Sequence, residues 1–92
     1  MNVFFNGTFH RDAADVSNVA LLVALREKIE ELEKAPDLRH ITGLKLLRGY
    51  KTHYRIKVVI PGASYRMGVI IRGNTIWLVR FLSRKKIYQQ FP

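Results

Sequence analysis

Hydrophobic and polar positions change their period part-way along this chain. Leu22, Leu25, Ile29 and Leu32 recur at spacings of three and four, which predicts an amphipathic helix with Ser17 as its N-cap and Pro36 as its stop near Lys34. Glu27, Glu30, Glu31 and Glu33 alternate with Arg26, Lys28 and Lys34 over the opposite side, the pattern of a solvated face rather than of an acid catalyst or metal site. Ahead of this helix, Met1 to Phe5 reads as a short strand closed by the turn signal Asn6-Gly7, and Phe9 to Asp15 has room for one or two helical turns.

Beyond Pro36 the helical period is lost. Arg39 to Lys51 is irregular apart from Leu44, Leu46 and Leu47, and reads as a connecting segment that packs on the core. Three strand-like runs rich in β-branched and aromatic residues follow: His53 to Ile60, Ser64 to Arg72 and Thr75 to Ser83. Pro61-Gly62-Ala63 and Gly73-Asn74 separate them at hairpin spacing, so an antiparallel meander is expected. Alternation sends Tyr54, Ile56, Val58 and Ile60 to one face of the first run and His53, Arg55 and Lys57 to the other. The second run divides in the same way, Tyr65, Met67, Val69 and Ile71 opposing Arg66, Gly68 and Arg72. In the third, Ile76, Leu78, Arg80 and Leu82 alternate with Trp77, Val79, Phe81 and Ser83, and two largely apolar faces predict a central strand. The fold class is therefore α+β: a mainly antiparallel sheet, with the meander and the N-terminal strand packed against N-terminal helices.

Composition bounds this picture and charge sharpens it. Ninety-two residues, 48% of them hydrophobic, suit one domain over residues 1-92 with one modest core. Cysteine is absent, which excludes disulfides and thiolate metal sites and suits a cytoplasmic protein. Neither a signal-peptide pattern nor an apolar run of the roughly 20 residues needed to span a bilayer is present, so no membrane role is expected. The formal charge of +9 is unevenly spread: all seven acidic residues lie at or before Asp37, whereas residues 39 to 92 hold twelve Lys and Arg and no carboxylate. A segment that cannot neutralise itself needs an anionic partner, and nucleic-acid phosphate is the commonest. On the meander, Arg55, Lys57 and Arg66 share the polar face, with Arg84 just beyond the last strand.

The stretches Leu46-Leu47-Arg48-Gly49, Tyr54-Arg55-Ile56-Lys57-Val58, Ser64-Tyr65-Arg66-Met67 and Ser83-Arg84-Lys85-Lys86-Ile87-Tyr88 resemble, in order, spacing and strand context, the skeleton of the RelE/ParE superfamily of toxins. The resemblance implies a RelE-like fold and, in the RelE branch, the toxin of a type II toxin–antitoxin system: a ribosome-dependent endoribonuclease that cleaves mRNA, needs no metal or other cofactor, and is neutralised by a cognate antitoxin. It implies an active site of Arg55, Lys57, Arg66, Arg84 and Tyr88. This sequence departs from RelE in having Arg55 where RelE has lysine, and its terminal segment is too short for a long helix after Tyr88.

Metal-free RNA cleavage requires a base for the 2′-hydroxyl, cations for the pentacovalent phosphate and a donor for the leaving oxygen. Like charges around an ammonium favour its neutral form, which makes Lys57, between Arg55 and Arg66, the candidate base. Arg66 and Arg84 suit phosphate stabilisation because guanidinium forks bind phosphate oxygens bidentately. Tyr88 can stack, orient the phosphate or move a proton. Arg55, His53, Lys85 and Lys86 are candidates for holding RNA, with His53 a weaker base candidate than Lys57. Two other classes remain open on the sequence: a ParE-like inhibitor of DNA gyrase, and a basic domain that binds nucleic acid without cutting it. The antitoxin segment expected from charge is acidic and partly disordered.

Overall fold

The computed structural model describes all 92 residues. Its elements are β1 (Asn2–Phe5), α1 (Gly7–Ala14), α2 (Val19–Lys34), a single 3-10 turn (Leu38–His40), β2 (Leu44–Leu46), β3 (His53–Ile60), β4 (Ala63–Arg72), β5 (Thr75–Ser83) and α3 (Arg84–Gln90). The five strands form one mixed sheet in the order β1-β5-β4-β3-β2, in which β1 runs parallel to β5 and every other pair is antiparallel. The expected α+β architecture and the meander are thus present. The segment read as a connection contains β2, whose three residues pair with Tyr54 to Ile56 and extend the sheet by one strand. Three residues are too few for alternation to register.

Helix α2 starts one residue later than expected. The side chain of Asn18, not Ser17, accepts the hydrogen bond from the amide of Leu21 at 3.1 Å, satisfying a donor that the first turn leaves open. Leu21, rather than the expected Leu22, is buried with Leu25 and Leu32 against Ile56, Val58, Met67, Val69, Ile71, Ile76, Leu78 and Phe81 of the sheet, with Ile29 packed beside them, and the alternation read for β3 and β4 selects the core side correctly. Burial of these faces is the main stabilising contribution, at roughly 25 cal/mol per Å² of apolar surface.

Strand β5 breaks strict alternation. Gly68 pairs with Arg80 and Val69 with Leu78, leaving Val79 unmatched in a β-bulge. Ile76 and Leu78 face the main core before the bulge; after it Phe81 does, while Val79 and Leu82 turn to a second cluster of Leu47, Ile87 and Phe91. The central place belongs to β4, with β5 interior beside it. A bulge adds a residue and increases local twist, and here it directs the end of β5 so that α3 folds over the sheet face opposite α2. The meander's polar side is therefore partly roofed rather than open.

Helix α1 closes the edge of β5 that β1 is too short to cover. Thr8 donates to the carbonyl of Val79 at 2.6 Å, and Asp12 accepts from the amide of Phe81 at 2.9 Å and from Arg80 Nε at 2.7 Å. Without these partners a sheet edge would carry unsatisfied backbone groups.

Candidate active site

The site forms where β2, β3, β4 and α3 converge. Lys57 of β3 lies opposite Arg66 of β4, and Arg55 lies opposite Gly68 one same-face row away. Lys45 of β2 pairs with Arg55 on the other side. Arg84 and Tyr88, four residues apart on α3, complete the wall from above. Together with Gly43 these side chains line a cleft of about 240 Å³. Five of its seven lining residues are cationic and none is acidic, so the positive field seen in the sequence is concentrated into one concavity.

None of the five cations has a carboxylate partner. The ion pairs of the protein are Lys28–Glu31, Arg39–Asp37, His40–Asp37 and Arg80–Asp12, all outside the cleft. Arg66 is only 8% exposed and donates through one nitrogen to Ser64 Oγ and the carbonyl of Tyr65, each at 3.0 Å. Those neutral acceptors fix its direction and leave its charge uncompensated, a costly arrangement that an anion in the cleft would relieve. The guanidinium of Arg55 sits 4.4 Å from the centre of the Tyr88 ring and that of Arg84 5.3 Å from it. These are cation–π contacts, and Nε of Arg55 is buried without a hydrogen-bond acceptor. Burial by itself would raise the pKa of Tyr88, but the positive charges of Arg84, Arg66 and Arg55 outweigh it and hold the phenol below its ordinary value.

Two glycines give the cleft its shape. Gly43 has φ +75°, and its carbonyl accepts from the amide of Lys57 at 3.1 Å. A Cβ there would lie 3.1 Å from Cβ of Lys57, so the bare backbone lets the β2 edge close on the lysine. Gly68 lies beneath the ring of Phe91, where a Cβ would come within 2.5 Å of Cγ. Phe91 and Ile87 are buried against Leu47, and this contact seats α3 over the sheet.

The structure brings Arg55, Lys57, Arg66, Arg84 and Tyr88 together, and leaves the other three expected residues outside the cleft. His53 is half-buried and packs between aromatic rings, 4.8 Å from Tyr50 and 5.9 Å from Phe91, with Nδ1 3.1 Å from Thr52 Oγ1. Lys85 is exposed on α3, and Lys86 borders a separate hollow shared with Asp12 and Asp15. Lys45 is the residue that sequence reasoning missed, because its strand was not recognised. A wider groove of about 490 Å³ between α2 and β3 meets the cleft at Gly43 and Lys57. Glu27 and Glu31 line it, which makes it a poor path for a polyanion.

No known family model matches the sequence. The chain is 34% identical to Toxin RelE3 of Methanocaldococcus jannaschii over the whole length of both proteins. The chain belongs to the RelE toxin family. A solved structure, that of the RelB–RelE antitoxin–toxin complex from Methanococcus jannaschii, contains a chain superposing on this one with a TM-score of 0.75 at 33% identity, covering 97% of this chain and 99% of that one. The RelE-like fold expected from the sequence is thus observed, and the chain is a RelE-family toxin. No helix of this toxin is long and apolar enough to cross a membrane.

Proposed function

We propose that this toxin cleaves mRNA on the ribosome in the cytoplasm without a metal ion, and that a cognate antitoxin neutralises it. The observation that carries this reading is the cleft in which Lys45, Arg55, Lys57, Arg66, Arg84 and Tyr88 meet without a carboxylate. Such a cleft attracts RNA phosphate and offers no cluster of His, Asp or Glu to hold a metal ion.

The parts suit attack by the 2′-hydroxyl on the adjacent phosphorus. Lys57, as general base, takes the 2′-hydroxyl proton. The 2′-oxygen then bonds to phosphorus, the bond from phosphorus to the 5′-oxygen breaks, and a 2′,3′-cyclic phosphate forms. Arg66, held rigidly by Ser64 and the Tyr65 carbonyl, and Arg84 stabilise charge on the phosphate oxygens. Tyr88, a phenol made more acidic by its guanidinium neighbours, gives its proton to the leaving 5′-oxygen. Arg55 holds the Tyr88 ring and adds positive potential.

The antitoxin reading rests on the family and on charge: a surface with +12 over residues 39 to 92 favours an acidic segment that folds as it binds. The test of activity is primer extension on a defined mRNA with purified protein, with and without translating ribosomes. New 5′ ends that require ribosomes, and that fall at least tenfold in folded Arg66→Ala and Tyr88→Phe variants, are the expected result. Intact RNA in both reactions would overturn the proposal, and inhibition of DNA supercoiling with intact RNA would replace it by gyrase inhibition.

A further inference from the structure

Outside the cleft, the same sheet face carries an aromatic row that the proposed chemistry does not use. His53, Ile70, Trp77 and Phe4 are successive register partners across β3, β4, β5 and β1. The rings of Trp77 and Phe4 stack with centroids 6.3 Å apart and an interplanar angle of 24°. Phe4 is 54% exposed. Trp77 and Ile70 form the floor of an open hollow of about 250 Å³ whose remaining walls are Arg72 and Asn6. Arg72 is exposed and forms no ion pair.

We propose that this hollow is a stacking site for a base of single-stranded RNA that runs on from the cleft, with Trp77 and Phe4 as the platform and Arg72 as the phosphate contact. The inference rests on the RNA-cleaving reading above and extends it to a second contact with the substrate. Three observations favour RNA as the occupant. Aromatic faces beside unpaired cations are the combination that binds single strands without sequence preference. The loop before β3 carries Arg48 and Lys51, both exposed, and no carboxylate lies anywhere in residues 39 to 92. The hollow also lies on the same sheet face as the cleft: Ile70 is four residues along β4 from Arg66, roughly 13 Å at strand rise, with Phe91 packed over Gly68 between them and His53 and Tyr50 beside it. A protein partner held chiefly by burial would want a broader apolar surface than one indole and one phenyl ring bordered by guanidinium.

Trp77 is the chain's single tryptophan, so its emission reports on this hollow alone. The test titrates the full chain with short 2′-O-methyl RNA oligonucleotides, which cannot undergo 2′-hydroxyl attack, and reads tryptophan emission together with anisotropy of a labelled strand. The expected result is quenching that tracks binding, with affinity reduced at least threefold in Arg72→Ala and roughly 5- to 100-fold in Trp77→Ala. Phe4→Ala, a surface change that keeps the fluorophore, should weaken binding and reduce quenching. RNA binding that leaves emission unchanged, with Arg72→Ala and Phe4→Ala both neutral, would overturn the stacking site. So would ribosome-dependent cleavage by a protein that binds no free oligonucleotide, and so would an emission change caused by an acidic antitoxin-type peptide but not by RNA. Loss of the cleavage reading itself shows separately, as intact mRNA in primer extension.

Discussion

Gly68→Ala is a demanding test of how the fold holds the cleft together. An alanine Cβ would lie 2.5, 2.7 and 2.8 Å from Cγ, Cδ2 and Cδ1 of Phe91, against the 3.5 to 4.0 Å at which carbon atoms pack favourably. The overlap is therefore about 1 Å. Strand β4 cannot retreat, because it is paired along its length with β3 on one side and β5 on the other. The ring has to move. Overfilling a packed site costs about 1 to 3 kcal/mol, and losing the burial of a phenylalanine costs about 1.5 to 3 kcal/mol, so a destabilisation of about 2 kcal/mol is expected in urea unfolding. Phe91 follows α3 directly and its amide donates to the carbonyl of Ile87 at 3.0 Å, so displacing it also shifts Tyr88 and Arg84. A misplacement of about 1 Å at a reacting group can cost about a hundredfold in rate, and cleavage should fall by more than tenfold under conditions where the variant remains folded. The double variant Gly68→Ala with Phe91→Ala isolates the cause: with the ring absent, Gly68→Ala should be nearly neutral, a coupling of about 1 to 2 kcal/mol. Additive effects of the two substitutions, or full stability and activity in Gly68→Ala alone, would refute the packing argument.

Further expectations concern charge. Tyr88 should ionise below the usual tyrosine pKa of about 10, read as the difference in ultraviolet titration between the wild type and Tyr88→Phe; Arg84→Ala should move it upward, and a difference midpoint at or above 10 would contradict the cleft's electrostatics. Because the folded-state value is lowered, the associated stability is present above the unfolded-state pKa, is lost as pH falls through the folded-state value, and contributes nothing at neutral pH. Glu31 is pulled in two directions: burial raises its pKa, but the Thr42 amide at 2.8 Å and Lys28 at 2.9 Å lower it overall. Its contribution is full above the ordinary carboxylate pKa and lost as pH falls through the lowered native value, so Glu31→Gln should flatten the loss of stability below about pH 4.5; an unchanged acid limb would refute this. Asp12→Ala removes the partner of both Arg80 and the Phe81 amide, and should cost about 2 to 4 kcal/mol in chemical unfolding; a loss below about 1 kcal/mol would show that the β5 edge finds other partners. Lys45→Ala should leave stability within about 0.5 kcal/mol, since the side chain is exposed. It should lower ribosome-dependent cleavage severalfold, and wild-type cleavage would remove Lys45 from the site.

Much of the fold was legible because its signals are local and repeated. The period of α2, the alternation of β3 and β4 and the glycine-containing turns between strands each follow from residues close in sequence, and they put Lys57 and Arg66 on one face before any contact is known. Charge segregation was also complete in the sequence, and with it the expectation of a phosphate-bearing partner. Arg84 and Tyr88 were different: only their resemblance to a family pattern marked them, because nothing local says where a seven-residue helix will dock.

The remaining features belong to tertiary structure. Strand β2 is three residues long and exists through its pairing with β3, so Lys45 had no sequence signal that would place it in the cleft. The bulge at Val79 reverses the parity of β5, and alternation assumes that no such extra residue intervenes. His53 had the residue type and the sheet face of a site residue, yet it packs against Tyr50 and Phe91 outside the cleft. Sequence alone determined which side chains carry charge and which faces of the long elements are apolar, because those depend on residue type and period. The assembled cleft depends on where distant segments stop against one another: Gly43 on Lys57, Phe91 on Gly68, and α3 over the sheet. Those positions are set by packing between residues far apart in the chain, to which local pattern is blind.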